Sequence, residues 1–497
     1  MIAEKENIVI VWFKRDLRLH DNEAIYNALN TGKRILLLYL FESLLENDPH
    51  YSERHWNFIK ESIVDLNLEL QKFNSKVLSV RSDLFSAFNL LQDKFKIQAV
   101  FSHQETGILT TFERDKAFKR YCKNNLIEWK ENINNGVLRG LKNREDWFDH
   151  WTDYMTQKQF SFEPKENQLL NSEEIHELEK LFDLPNLETP TRSSFQKGGT
   201  KMAWEYANSF MSKRHHNYMF NISKPENSRG SCSRLSPYIA WGNVSVREIY
   251  QKVQEGKNNT PYKNQLSAFA SRLRWQAHFI QKFEMEHTME HASVNKGFHK
   301  LKKRVSEEYQ LAWKEGKTGF PLVDASMRCL KETGYLNFRM RAMLVSFFTH
   351  ILWQPWQDAT VHLSRLFLDF EPGIHFPQIQ MQAGETGINN LRIYNPIKNA
   401  LEHDSGAIFI KKWVPELAHL ETPYAFEPWL MTSLEQQLYN FTLGKDYPFP
   451  IVDIKSHRKR ATDILWKLRE DYTVKKENHR ILQKHTISNR KQMLNSD

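Results

Sequence analysis

Two serines three residues apart, Ser233 and Ser236, stand in SCSRLSPYIAWGNVS (231–245), at what reads as the start of a helix. Their hydroxyls and the free backbone N–H groups of a helix start suit a phosphate. Leu235 between them can pack on an apolar portion of the same ligand. An ordinary N-cap is the plain alternative. Further on, Arg341 in FRMRAMLVSFF (338–348) and the pair Asp369/Glu371 in LDFEPG (368–373) set one cation and two carboxylates among apolar residues. Buried charges are costly unless paired. An Arg–Asp pair is therefore expected, as part of a ligand site or as a structural salt bridge. Trp275, in SRLRWQAHF, offers an aromatic face for stacking or is a core Trp on an amphipathic helix. The three cysteines, Cys122, Cys232 and Cys329, lie far apart and have no metal-ligand spacing, so no metal site is expected.

Two kinds of element must carry these residues. Over the first 130 or so residues, short apolar runs at 8–13, 35–40, 76–80, 99–102 and 127–130 read as buried strands. Helical patterns lie between them, the clearest with Trp56, Ile59, Ile63, Leu66 and Leu70 on one face. Such alternation predicts an α/β domain with a parallel, Rossmann-like sheet, whose ligands bind at the carboxyl ends of strands. No GxGxxG follows the first strand, so a standard dinucleotide fingerprint is absent. Residues 136–199 are polar and irregular, with one short helix within NQLLNSEEIHELEKL, and read as an interdomain linker. Residues 200–475 read almost wholly as helix, with segments at 200–212, 246–255, 264–284, 321–333, 338–351 and 454–471. A polar tail at 476–497 is expected to fray. The division is thus 1–135, 136–199, 200–475 and 476–497.

Bulk composition narrows the class. The chain has 497 residues, net charge +9 and 14 Trp, with aromatics at 13 %. A basic surface attracts polyanions, nucleic acid among them. The N-terminus lacks a signal-peptide pattern and no apolar run is long enough to span a bilayer. A soluble, cytoplasmic monomer with no membrane partner is expected, in keeping with scarce cysteine.

Five segments in register resemble the photolyase/cryptochrome superfamily: VWFKRDLRLHDNEAIYNAL (11–29), SCSRLSPYIAWGNVS, WKEGKTGFPLVDASMRCLKETGY (313–335), FRMRAMLVSFF, and LDFEPG with LRIYNP (391–396). The resemblance implies an N-terminal antenna domain and an all-helical C-terminal domain binding FAD. It implies light-driven electron transfer from reduced FAD to a pyrimidine dimer flipped out of damaged DNA. It assigns cofactor contacts to Tyr218, Cys232, Ser233, Arg234, Leu235, Ser236, Phe269, Arg272, Gln276, Phe338, Arg341, Asp369, Phe370, Glu371 and His375. Trp275 aligns with the Trp that stacks on the flipped dimer. Arg339, Arg272, Met381 and Asn399 complete the DNA contacts, with charge runs at 213–216 and 300–304 as candidate phosphate contacts.

Several positions depart from the pattern. Arg272 replaces an acid that hydrogen-bonds the dimer, a cation for an acceptor. His375 stands where an Asn usually faces the flavin, and its protonation would bear on the flavin. Trp313 and Trp356 align with the outer and middle members of a tryptophan electron chain, but Ile379 stands at the flavin-proximal place. Tyr335 or Trp353 is a candidate bridge. Met381 stands where a second Trp flanks the dimer. Thr110 and Thr111 occupy the place of an Asn-Glu-type pair, which argues against folate as antenna. A deazaflavin, another flavin or an empty antenna site stay open. GYLNFRMR lacks the His-containing pattern of (6-4) repair, so cyclobutane dimers are favoured. A cryptochrome-like photoreceptor, or a nucleic-acid-binding flavoprotein without photochemistry, are the competing readings.

Overall fold

The computed structural model describes residues 5–190 and 194–486. Each of the five apolar runs forms a strand: β1 (Glu6–Phe13), β2 (Arg34–Phe41), β3 (Leu78–Arg81), β4 (Phe95–His103) and β5 (Glu128–Asn132). They pair in the order β3-β2-β1-β4-β5, every pair parallel. Successive residues of β1 serve opposite faces. Val9, Val11 and Phe13 enter one core, and Ile8, Ile10 and Trp12 enter the other. Both faces are covered, which is why these strands read as unbroken apolar runs. The chain leaves β3 at one edge and returns through β4 on the far side of β1. The carboxyl ends of β1 and β4 therefore flank the crevice where such sheets bind ligands.

The helix Glu53–Leu70 buries Ile59, Ile63, Leu66 and Leu70 as its spacing predicts. Residues 136–199 are less of a loose connector than their polarity suggests. The helix Trp147–Thr156 buries Trp147, Trp151 and Met155, spaced by four, and Ser172–Glu179 forms the short helix expected. Beyond residue 199 the chain is helical, including Thr200–Ser212, Val246–Lys257, Lys263–Met285, Pro321–Thr333, Pro372–Gln382 and Ile454–Arg469. The helix expected over 338–351 divides at Ser346 into an α-helix, Phe338–Ser346, and a π-helical turn, Phe347–Ile351. Within this junction Ser346 Oγ bonds His350 Nδ1 at 2.9 Å, and Thr349 Oγ1 donates to Val345 O at 2.8 Å. Side chains competing for backbone groups favour such a break. The tail expected from 476 is corrected over its first part. Tyr472–His485 is a helix whose Val474 and Ile481 are fully buried, while 487–497 lie outside the described residues.

The two halves are fastened beside β1. Leu17 N donates to Trp241 O at 3.2 Å, and Arg18 Nη1 to Gly242 O at 3.2 Å. Asp21 and Arg247 form a fully buried ion pair. Gly242 has φ +76°, and a Cβ there would meet Arg15 O at 2.3 Å, so only glycine allows this approach.

Candidate functional site

The segment 231–236 links two short helices, Asn227–Ser231 and Ser236–Ala240. Arg234 takes the left-handed conformation, φ 61°, which turns the backbone between Ser233 and Ser236. The carbonyls of Cys232 and Ser233 are tied back by the Arg214 guanidinium. Arg234 itself turns away from any phosphate. Its Nε and Nη2 donate to Gln196 Oε1 at 3.1 and 2.7 Å, and its guanidinium lies 3.7 Å from the Tyr335 ring centroid. Leu235 is buried, Ser233 nearly so, and Cys232 is half-buried.

Arg341 and Asp369 meet in a two-point fork, Nη1–Oδ1 3.0 Å and Nη2–Oδ2 2.8 Å, while Arg341 Nε donates to Leu336 O at 2.7 Å. Burial alone would raise the Asp369 carboxyl. The facing guanidinium and a bond from Ser236 hold it below its ordinary value instead.

The helix Lys263–Met285 sets Phe269, Arg272 and Gln276 along one stripe. Phe269 packs edge-on to Tyr218 (5.9 Å), whose hydroxyl is held above its ordinary pKa by burial against the pull of Arg272. Gln276 Oε1 is buried without a partner, as is Asn399 Nδ2 on the helix Pro396–His403. Trp275 lies beside this stripe, 43 % exposed, against His278 and Phe279. Phe338 is exposed, and Arg339 reaches Ser223 Oγ at 3.4 Å with its Nε unpartnered. Met381 is half-buried.

Other expected residues sit elsewhere. Phe370 packs against His50 and Tyr51 of the α/β half. His375 is buried, Nε2 bonded to Thr360 O at 3.0 Å, and burial pushes its pKa down to about 3, so the ring is neutral. Ile379 is buried. Trp313, aligned with an outer electron-chain member, is 0 % exposed, packed on Phe348 and His362. It has no surface on which to meet solvent. Trp356 is likewise buried, and among the described residues the two indoles make no ring contact with each other. Tyr335 belongs to the serine loop beneath Arg234, and Trp353 lies between the Lys303 and Arg460 cations. The run 213–216 is mostly spent internally. Arg214 faces carbonyls, His215 is buried and His216 stacks on Tyr262, which leaves Lys213 exposed. In 300–304, Lys300 pairs with Asp471 and Lys303 with Glu385, leaving Lys302 and Arg304 exposed. Thr111 is buried with its hydroxyl on Ile108 O.

Glu371 faces the crevice at the strand ends, which it lines with Lys14, Arg15, His103, Gln104 and Glu105. Desolvation pushes its carboxyl up to about 7 against the pull of Arg15. The crevice is packed with charge. Arg114 pairs with Glu42, Glu105 and Asp115, Lys14 with Asp115, and His103 with Asp16. The remaining cavity is about 40 Å³. That admits a few water molecules, not a tricyclic pigment. Sequence reasoning passed over these residues, although KRDLR directly after a buried strand carries a dense charge signal. Arg15 donates to Ala240 O at 3.1 Å and to Phe370 O, so it touches both the serine-loop helix and the segment after Asp369.

The family described as the FAD binding domain of DNA photolyase matches residues 269–467, and that described as DNA photolyase matches 9–139. The chain is 27 % identical to a deoxyribodipyrimidine photo-lyase of Alkalihalophilus pseudofirmus, over 93 % of this chain and 98 % of that protein. It is 25 % identical to a cryptochrome DASH of Synechocystis, over 90 % and 95 %. Among solved structures, a Synechocystis cryptochrome superposes with TM-score 0.83 at 21 % identity, covering 93 % of this chain and 100 % of that one. A class III photolyase of Agrobacterium tumefaciens gives 0.79 at 23 %, covering 95 % and 100 %. A Sulfolobus tokodaii photolyase with two FAD molecules gives 0.75 at 23 %, covering 93 % and 99 %.

Proposed function

The chain belongs to the photolyase/cryptochrome superfamily and carries its FAD-binding domain, and from that premise we propose that it repairs cyclobutane pyrimidine dimers in DNA using light. When bound and reduced, FAD supplies the chemistry: on excitation it lends an electron to the dimer and takes it back. The protein's part is to bind, orient and exclude water. The observation that carries the reading is the two-point Arg341–Asp369 fork in the helical half. Elsewhere in the helical half, Gln276 Oε1 and Asn399 Nδ2 are buried polar atoms without partners, an acceptor and a donor available to a polar ligand.

In this reading Ser233, Ser236, Tyr218 and Arg272 hold the pyrophosphate, and Arg341 with Asp369 meets the ring edge. His375 gives its Nε2 proton to Thr360 O and stays a neutral ring. Trp275 supplies the exposed aromatic face for a flipped dimer, and Arg339 with Lys213 meets phosphates. Trp356 donates electrons when the flavin is oxidised, whereas the burial of Trp313 argues against its being the exit to solvent. A second chromophore at the strand ends would require the ion pairs of Arg114 to part. The photoreceptor reading draws on Arg272 and Met381 at substrate positions and on the cryptochrome DASH relatives.

The test is direct. Purified, chemically reduced protein is mixed with oligothymidine carrying cyclobutane dimers and illuminated with blue or near-ultraviolet light. Recovery of thymine absorbance over a dark control is the expected result. No recovery with FAD bound, on this substrate and on a (6-4) lesion, overturns repair in favour of the photoreceptor.

A further inference from the structure

Buried indole N–H groups are treated unequally in this molecule. Those of Trp151, Trp313 and Trp413 end without an acceptor. Trp356, 1 % exposed, is wired instead. Its Nε1 donates to Ser293 Oγ at 3.0 Å, and Ser293 Oγ donates to Glu385 Oε2 at 2.6 Å. The other Glu385 oxygen lies 3.2 Å from Lys303 Nζ. Ser293, Glu385 and Lys303 line a cavity of about 450 Å³, whose rim residues His291 and Lys302 are exposed. The loop bearing Ser293 is held in place by Gln380. Its Nε2 donates to Met289 O and Ala292 O, each at 2.8 Å, and its Oε1 accepts from Val294 N at 2.8 Å. A core Trp needs one acceptor. Here the acceptor is the first of three polar groups that lead to a cavity with an exposed rim, in an interior where each would be costly if it were not part of a connected chain.

We propose that Ser293 and Glu385 form a proton outlet for Trp356. The proposal rests on the reading of Trp356 as an electron donor. Trp356 loses one electron to photoexcited, oxidised flavin. Its Nε1–H bond breaks as a new O–H bond forms on Ser293. The original Ser293 O–H bond breaks as one forms on Glu385. Ser293 ends unchanged, Glu385 ends protonated, and Trp356 ends as a neutral indolyl radical. An indole that has lost an electron is a strong N–H acid, so a carboxylate one hydroxyl away is a matched acceptor. Once the proton has gone, the electron cannot simply fall back. The separated charge thus lives longer without help from an aromatic ring at Ile379. Ser293 and Glu385 act through Trp356 and position its proton.

The experiment is pulsed-laser transient absorption on purified holoprotein with FAD oxidised. It compares the natural protein with Ser293→Ala, Ser293→Thr, Glu385→Gln and Trp356→Phe, at matched FAD content. A cationic indolyl band that needs Trp356 and converts to the neutral band is expected. That conversion should slow by roughly 10²-fold in Ser293→Ala and Glu385→Gln, and Ser293→Thr, which keeps the hydroxyl, should restore it. Equal conversion in Ser293→Ala and the natural protein overturns the outlet while leaving Trp356 as donor. A radical that persists in Trp356→Phe, or none at all, overturns the donor reading and the outlet with it. Unchanged decay in folded Ser293→Ala decides the matter even where Glu385→Gln fails to fold.

Discussion

The crevice at the strand ends and the serine-loop site of the helical half both gather charge away from water, yet they complete it differently. In the crevice Arg114 is surrounded by Glu42, Glu105 and Asp115, Lys14 shares Asp115, and about 40 Å³ is left. In the helical half a single fork, Arg341–Asp369, stands with Gln276 and Asn399 atoms that lack partners. A cluster whose charges are mutually paired holds structure. Orphan buried atoms remain in both, Glu42 Oε1, Gln104 Oε1 and Asn134 Oδ1 at the crevice and Gln276 Oε1 and Asn399 Nδ2 in the helical half, so the difference lies in how many charges each cation answers.

The largest test of this contrast is Arg114→Ala. It strands the Glu42 and Glu105 carboxylates in a desolvated space, leaving Asp115 to Lys14, and should cost about 3–5 kcal/mol in chemical denaturation, with FAD content of the folded fraction unchanged. Parallel loss of FAD would erase the distinction. Asp369→Ala, in the other region, should purify colourless with a native circular dichroism spectrum. A yellow, repair-active variant would refute the cofactor assignment. Trp275→Ala should weaken binding of dimer-containing DNA by roughly 1–3 kcal/mol in a titration, and unchanged affinity removes it from the substrate face.

The smallest effect concerns the residue shared by both regions. Glu371 has its carboxyl raised to about 7, so the folded chain holds this proton where the unfolded chain releases it. Stability should therefore fall as pH rises from the ordinary glutamate range to about 7. Glu371→Gln should flatten that slope in thermal melts across this window. An unaltered slope would place the titration on another group.

The legible parts are those where one local period decides the outcome. β1 declares itself because both of its faces are buried, and the Glu53–Leu70 helix because its stripe repeats every three to four residues. The Trp147–Thr156 helix was hidden, since three buried residues spaced by four are diluted by polar neighbours. At the site, residue types were readable but directions were not. Arg214 and Arg234 look like phosphate ligands by type, yet their partners are carbonyls and an amide that no pattern reveals. Trp313 aligns with the outer member of an electron chain, yet alignment carries no burial and the fold encloses it. The bond between Ser293 and Glu385 spans 92 residues, and only the fold brings the two together.

Arg15 has a consequence of a mechanical kind. It reaches from the end of β1 to the carbonyls of Ala240 and Phe370, on either side of the proposed flavin site, while Gly242 lets the two backbones touch. The halves are thus tied at the same points that carry the proposed site, and any opening between them must break the Arg15 bonds and part the backbones that meet at Gly242.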